Sequence, residues 1–261
     1  MTIVAAKQDQ ALRRVIAAFT ATLEALVPAS PGPSESPVNE RDLRDRAGRA
    51  MVLLTDALQT LAAPTTTRPE GWAAHLAHRE RAEQTLTEVA RSVLGKDSAA
   101  ALAQQARRLL ADLRTELDQQ RLPTAVDTLF GVARLVDYLR GALVDAVAVA
   151  LRHGCTPPVA ALTETTRALT MALGERHPGA TLEVRVPPAA AVQLSALGEG
   201  PTHTRGTPPN VIELPVRLFT EVAVGLRAWT GDDVDRYASG AHVDAFARML
   251  PVIDLGRRQR L

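Results

Sequence analysis

The chain is poor in the residues that would tie it to an oxidising compartment or to a polyanion. Its 261 residues include one cysteine, Cys155, so no intrachain disulfide can form and a disulfide-stapled secreted scaffold is excluded. Lysine is nearly missing: Lys7 and Lys96 are the two in the sequence, and a phosphate-loop or Schiff-base lysine is therefore impossible beyond residue 96. Neither sign of charge is in excess, with 30 Lys and Arg against 29 Asp and Glu for a formal charge of +1. The electrostatic drive for nucleic acid or an anionic membrane is accordingly weak. Long apolar runs are lacking too. Gly141 to Leu151 is the longest, is interrupted by Asp145, and is about half the roughly 20 residues a membrane span needs. The opening MTIVAAKQDQALRR has no basic segment leading into an apolar core and is not expected to be a signal peptide. A cytoplasmic protein with no integral membrane segment is expected. No G-x-G-x-x-G follows a strand, and neither G-x-x-x-x-G-K-[ST] nor G-x-S-x-G occurs. The phosphate cradle and the nucleophile elbow are thus both absent, and no cofactor is expected.

What is present is a folded chain, 46% hydrophobic and 23% charged, written in two periods. From Gln8 to about Arg152 apolar residues recur at helical spacing. Leu12, Val15, Ile16, Phe19, Leu23 and Leu26 form one stripe, and the proline-rich stretch from Pro28 ends it. Asn39, with Asp42 three residues on, is expected to cap a second helix whose buried face is Leu43, Ala47, Ala50, Leu54, Leu58 and Leu61. A third helix is expected to begin near Gly71 with Trp72 and Leu76, and a fourth at Ser98 with Leu102, Ala106, Leu109, Leu113 and Leu117. The last, Thr124 to Arg152, turns apolar nearly all round and reads as the centre of a bundle.

After Gly154 and Pro157-Pro158 the pattern changes. Thr163 to Gly174 is a further helix with Leu162, Thr166, Leu169 and Leu173 on one face and Met171 about half a turn away. Leu182 to Val186 then alternates strictly, Val192 to Leu194 repeats it, and Ile212 to Leu214 is a third short strand. A helix through Phe219, Val222, Ala223 and Leu226 follows. A short helix from Thr230 to Tyr237 and an edge strand from His242 to Ala245 complete the expectation. The fold class is α+β in two domains, a helical bundle over 1–156 and a small sheet with helices over 157–261.

Certain words in the second half are specific. EVRVPPAAAVQ (183 to 193), GPTHTRGTPPN (200 to 210), the Trp229 segment, and YASG (237 to 240) followed by MLP (249 to 251) closely resemble the bacterial branch of the sterol carrier protein family found in actinobacterial proteins. Ala189 departs from that family, which has a bulkier residue after VPP. Gly71-Trp72 leading into Ala74-His75-Leu76, and Val136 to Arg140 leading into Val144-Asp145, are similar to the bundle of mycothiol-dependent maleylpyruvate isomerases and their DinB-like relatives. That likeness implies a metal held by one histidine and by a Glu and a His four residues apart on a later helix. The corresponding positions are His75, Asp145 and Val149. A valine has no lone pair, and Asp is one methylene short of Glu. His153 stands roughly 6 Å further along by helix rise and does not replace it. His75 and Asp145 are therefore expected to be vestigial, with no metal bound and no catalytic residue assigned. His75 is then a helix-surface or interhelix hydrogen-bonding residue, and Asp145 pairs with an arginine of a neighbouring helix.

The loop from Gly200 to Asn210 concentrates His203, Arg205, Thr207 and Asn210 among glycines and prolines. It either presents donors to a ligand headgroup or steers the chain between strands. The resemblance implies a non-enzymatic carrier whose C-terminal domain takes a lipid, sterol-like or acyl ligand. Candidate contacts are those four residues with Met171, Val192, Phe219 and Trp229. The partner is a small apolar ligand rather than nucleic acid, and a homodimer is compatible with the sequence. The alternatives are a metal- and mycothiol-dependent isomerase or transferase built on the bundle, and an interaction scaffold.

Overall fold

The computed structural model describes residues 3–27, 37–93, 95, 97–119, 121–196, 210–229 and 237–256. The chain is α+β and divides into two compact units: Met1–Gly71 with Arg81–Ala161, and Trp72–Glu80 with Leu162–Leu261.

The first unit is built on helices α1 (Ile3–Leu26), α2 (Pro37–Leu61), most of α3 (Trp72–Val93), α4 (Ala99–Leu117) and α5 (Leu135–Arg152). The stripe of α1 is buried at Val15, Phe19, Leu23 and Leu26, and that of α2 at Leu43, Ala47, Ala50 and Leu54. Asn39 lies inside α2, which starts two residues earlier at Pro37, so it does not cap the helix; proline is well suited to a first helical turn. Ser98 does cap α4, its side chain accepting from the Ala101 N–H. Along α4 the buried row is Leu102, Ala103, Ala106, Leu110, Leu113 and Leu117, while Leu109 is half-buried.

The expected helix over 124–152 is shorter at its start. Ala125–Thr128 (β1) and Gly131–Arg134 (β2) form an antiparallel hairpin first, in register Ala125 with Arg134 and Thr128 with Gly131. Two features favour it over helix. Gly131 takes φ 95° at the turn, and the Thr128 hydroxyl accepts from Phe130 N and donates to Gly131 O. The segment after α2 then lines β1, with Asp127 N donating to Ala63 O and Thr65 N to Ala125 O. Helix α5 is buried almost throughout, including Leu135, Tyr138, Leu139 and every residue from Gly141 to Val144. Tyr138 donates its hydroxyl to Asp56 of α2 at 2.7 Å.

The second unit holds the first nine residues of α3, nearly all of α6 (Val159–Arg176), and a four-stranded sheet in the order β4-β3-β5-β6. These strands are β3 (Pro178–Val186), β4 (Ala190–Leu194), β5 (Asn210–Glu213) and β6 (Tyr237–Ser239), with helix α7 (Val216–Ala223) between β5 and β6. β3 runs parallel to β5, and the other pairs are antiparallel. The edge strand falls at Tyr237–Ser239 and not at 242–245, where a short 3-10 helix, Val243–Met249, begins instead. Asn210 Oδ1 accepts from His242 N at 2.8 Å, which removes that amide from any ladder. Of the short helix expected from Thr230, residues 230–236 lie outside the described residues, and Tyr237 is extended. No helix is long and apolar enough to cross a membrane among the described residues.

Candidate functional site

Strict alternation in β3 gives the sheet of the second unit two unlike faces. Leu182, Val184 and Val186 are fully buried on one, level with Leu194 of β4 and Ile212 of β5. Glu183, Arg185 and Glu213 occupy the other, where Arg185 donates to Glu183 at 2.7 Å. The apolar face is met by α6. Val192, opposite Val184 in register, stands so near Gly174 that a Cβ there would lie 3.1 Å from its Cγ2. Arg167 of α6 donates from Nε to the Ala189 carbonyl at 3.1 Å and from a terminal nitrogen to Glu164. The turn after VPP is therefore tied to the helix.

The candidate ligand contacts do not share one environment. Phe219 of α7 is fully buried and Val192 half-buried, both belonging to the packed interior. Trp229 is half-buried and meets Phe246 edge-on, with centroids 5.3 Å apart and planes at 86°. Met171 is 40% exposed, so the side of α6 away from its Leu169–Leu173 row is open at that point. Asn210 is 2% exposed. Its amide donates to Thr181 O and accepts from His242 N, joining β3 to the segment after β6. His203, Arg205 and Thr207 lie outside the described residues, as does the arginine-rich end from Arg257.

One polar feature inside this unit was not apparent from the sequence. Thr166 of α6 and Thr220 of α7, both fully buried, face each other with hydroxyl oxygens 3.3 Å apart. Each has a helical position among apolar residues, and the β-branched shape hides the hydroxyl within an apolar stripe. The available signal was the number of threonines in α6: Thr163, Thr165, Thr166 and Thr170.

The three positions matched to metal ligands in the sequence belong to different units, His75 to the second and Asp145 and Val149 to the first. Val149 is buried on α5 and Asp145 is half-buried four residues before it. A valine donates no electron pair there. His153 caps α5 and has both ring nitrogens turned to Asp42 and Asp45 of α2, at 2.6 and 3.1 Å. His75, in the first turns of α3, is 1% exposed beside the Trp72 ring. Burial, reinforced by Arg79 and His78, pushes its pKa down to about 3, so the imidazole is neutral. Among the described residues no three His, Cys, Asp or Glu side chains converge on a point where an ion could sit.

Residues 159–252 match the family model described as "Bacterial SCP ortholog". No curated protein sequence matches the chain. Among solved structures, the chain is similar to a crystal structure of a mycothiol-dependent maleylpyruvate isomerase at 12% identity and a TM-score of 0.47, covering 88% of this chain and 92% of that one. A histidine-to-alanine mutant of such an isomerase gives 12% identity and a TM-score of 0.43, covering 83% and 87%. The match over 159–252 spans α6, the four-stranded sheet and α7.

Proposed function

We propose that the second unit is a carrier module for a small apolar ligand of lipid, sterol-like or acyl type, and that the protein works by binding rather than by catalysis. The observation that carries this reading is the family match over 159–252. The local chemistry agrees with it. One face of the sheet carries Leu182, Val184, Val186, Leu194 and Ile212, and an apolar guest would be held by removal of its surface from water, at about 25 cal/mol per Å². With few aromatic residues in the chain, the contacts would come from Val, Leu and Met side chains. Such a lining tolerates different shapes and gives little orientational specificity. The loop carrying His203, Arg205 and Thr207 would supply the polar contact to a headgroup.

Mass spectrometry under native conditions of the purified full chain tests the proposal. A discrete co-purifying lipid or acyl species supports it, and protein free of any ligand that also fails to bind added fatty acid or sterol overturns it. Met171→Ser provides a second arm, since a 40% exposed side chain contributes little to stability. The substitution is expected to weaken ligand binding several-fold while leaving the melting temperature within about 2 °C. The alternative reading, an enzyme using a metal and a thiol cofactor, draws on the neutral state of His75, the form in which an imidazole ligates a metal. Stoichiometric zinc or nickel in protein purified without chelators would favour that enzyme over the carrier.

A further inference from the structure

We propose that His153 is a proton-operated latch that fastens the start of α2 to the end of α5, closed while the ring carries both protons and slack when it loses one. The inference stands apart from the carrier reading and concerns the first unit alone. Its basis is geometric. Asp42 and Asp45 stand three residues apart on α2 and so share one side of the helix. Between them they meet both nitrogens of one ring: Asp42 Oδ1 is 2.6 Å from Nδ1, and Asp45 Oδ2 is 3.1 Å from Nε2. A carboxylate only accepts, so the Nδ1 contact to Asp42 is a hydrogen bond only when that nitrogen bears hydrogen, whereas Nε2 makes no hydrogen bond to Asp45 and is held to it by charge, which only the doubly protonated ring carries. A neutral ring directs one lone pair at a carboxylate. The ring itself is 7% exposed, while the two carboxylates are about half exposed. Loss of the proton therefore leaves a sheltered acceptor-to-acceptor contact rather than one rinsed by water.

The surroundings set the direction. Asp45 and then Asp42 hold the ring's pKa above its ordinary value, against the opposing effect of burial. The His153 ring, 3.1 Å away, holds Asp45 below the usual carboxylate value, with Arg49 of α2 and Arg152 of α5 adding to it. Arg46, the remaining charged group on this side of α2, is turned to Cys155 and donates to its sulfur at 3.2 Å. A histidine with a raised folded-state pKa stabilises fully below 6.5, and that stabilisation is lost as pH rises through the folded-state value. The latch thus opens on the alkaline side. It sits where α5 ends: Cys155 N donates to Ala150 O and Gly154 N to Leu151 O, the paired bonds of a Schellman ending.

The test uses the full chain. Ring ¹⁵N chemical shifts of His153 are followed from about pH 5 to pH 10, and urea midpoints are measured across the same range for wild type, His153→Gln and His153→Arg. The latch predicts an imidazolium that persists above the ordinary histidine value of about 6.5. It also predicts a wild-type midpoint that falls toward that of His153→Gln as pH rises, and a profile for His153→Arg, which keeps its charge, without that fall. A ring titrating at about 6.5 overturns the proposal, as do wild-type and His153→Gln profiles that run parallel. The ring titration needs no variant, so the proposal remains testable if either substitution prevents folding.

Discussion

His75 shows how the burial of one side chain sets the response to acid. The unfolded chain binds a proton at this residue near pH 6.5, but the folded protein does so only near pH 3. A group with a depressed folded-state pKa stabilises above its unfolded value and costs stability as pH falls below it, because the unfolded state gains the proton first. At pH 5 the cost is about 2 kcal/mol, from 1.36 kcal/mol per pH unit. His75→Gln, which does not titrate, is expected to flatten the decline in unfolding free energy, read from urea titrations, between pH 7 and pH 5 by about that amount. Parallel declines in variant and wild type would show that His75 is not the responsible group. In the sequence the expectation of a structural role for His75 rested on the altered metal partners alone. The sequence did not show that the side chain is almost fully sealed, because the unit to which His75 belongs is otherwise made of residues from Leu162 onward, far from α3 in chain order.

Elements whose signals are local were legible, and those completed by distant partners were not. Ser98 announced α4, and the alternation in Leu182–Val186 announced β3, since caps and period-two patterns lie within a few residues. The β1–β2 hairpin escaped because four-residue strands show little period, and the strand-like segment at 63–65 that lines it lies some sixty residues away. Chain turns follow a similar division, and two glycines separate the local cost from the tertiary one. Gly154, at φ 66°, has open space around its Cβ position, whereas Gly225, at φ 75°, would place a Cβ 2.8 Å from Asp254 Oδ1. Gly154→Ala is expected to cost about 1 kcal/mol, the conformational penalty alone. Gly225→Ala is expected to cost up to about 1 kcal/mol more, because the Asp254 carboxylate must turn aside and give up the bond it accepts from Gly256 N. Denaturation midpoints of the two variants decide it. Equal losses would mean that the Asp254 carboxylate gives way freely.

On the scale of the molecule, chain order and spatial membership diverge, and here sequence reading was most limited. The expected boundary at 156/157 follows the change of period, which is the most a one-dimensional pattern can offer. The first nine residues of α3 nevertheless belong with the sheet-containing unit. Trp72 donates its indole N–H to Ala168 O at 2.8 Å and is 2% exposed. Glu175 accepts from Ala73 N at 2.9 Å, and Glu80 accepts from Asp254 N at 3.0 Å. A fragment beginning at residue 157 would lose all of these contacts and uncover the surface of α6 beneath the indole. Loss of a buried Trp side chain costs about 3–5 kcal/mol. In a unit of this size that corresponds to a fall of about 12 °C or more in melting temperature. Two fragments test the point: residues 157–261 alone, and the same residues with 71–81 joined to their start through a flexible Gly/Ser linker. The second is expected to melt cooperatively and well above the first. If both melt alike, Trp72–Glu80 adds nothing to that unit and the boundary read from the sequence is the physical one.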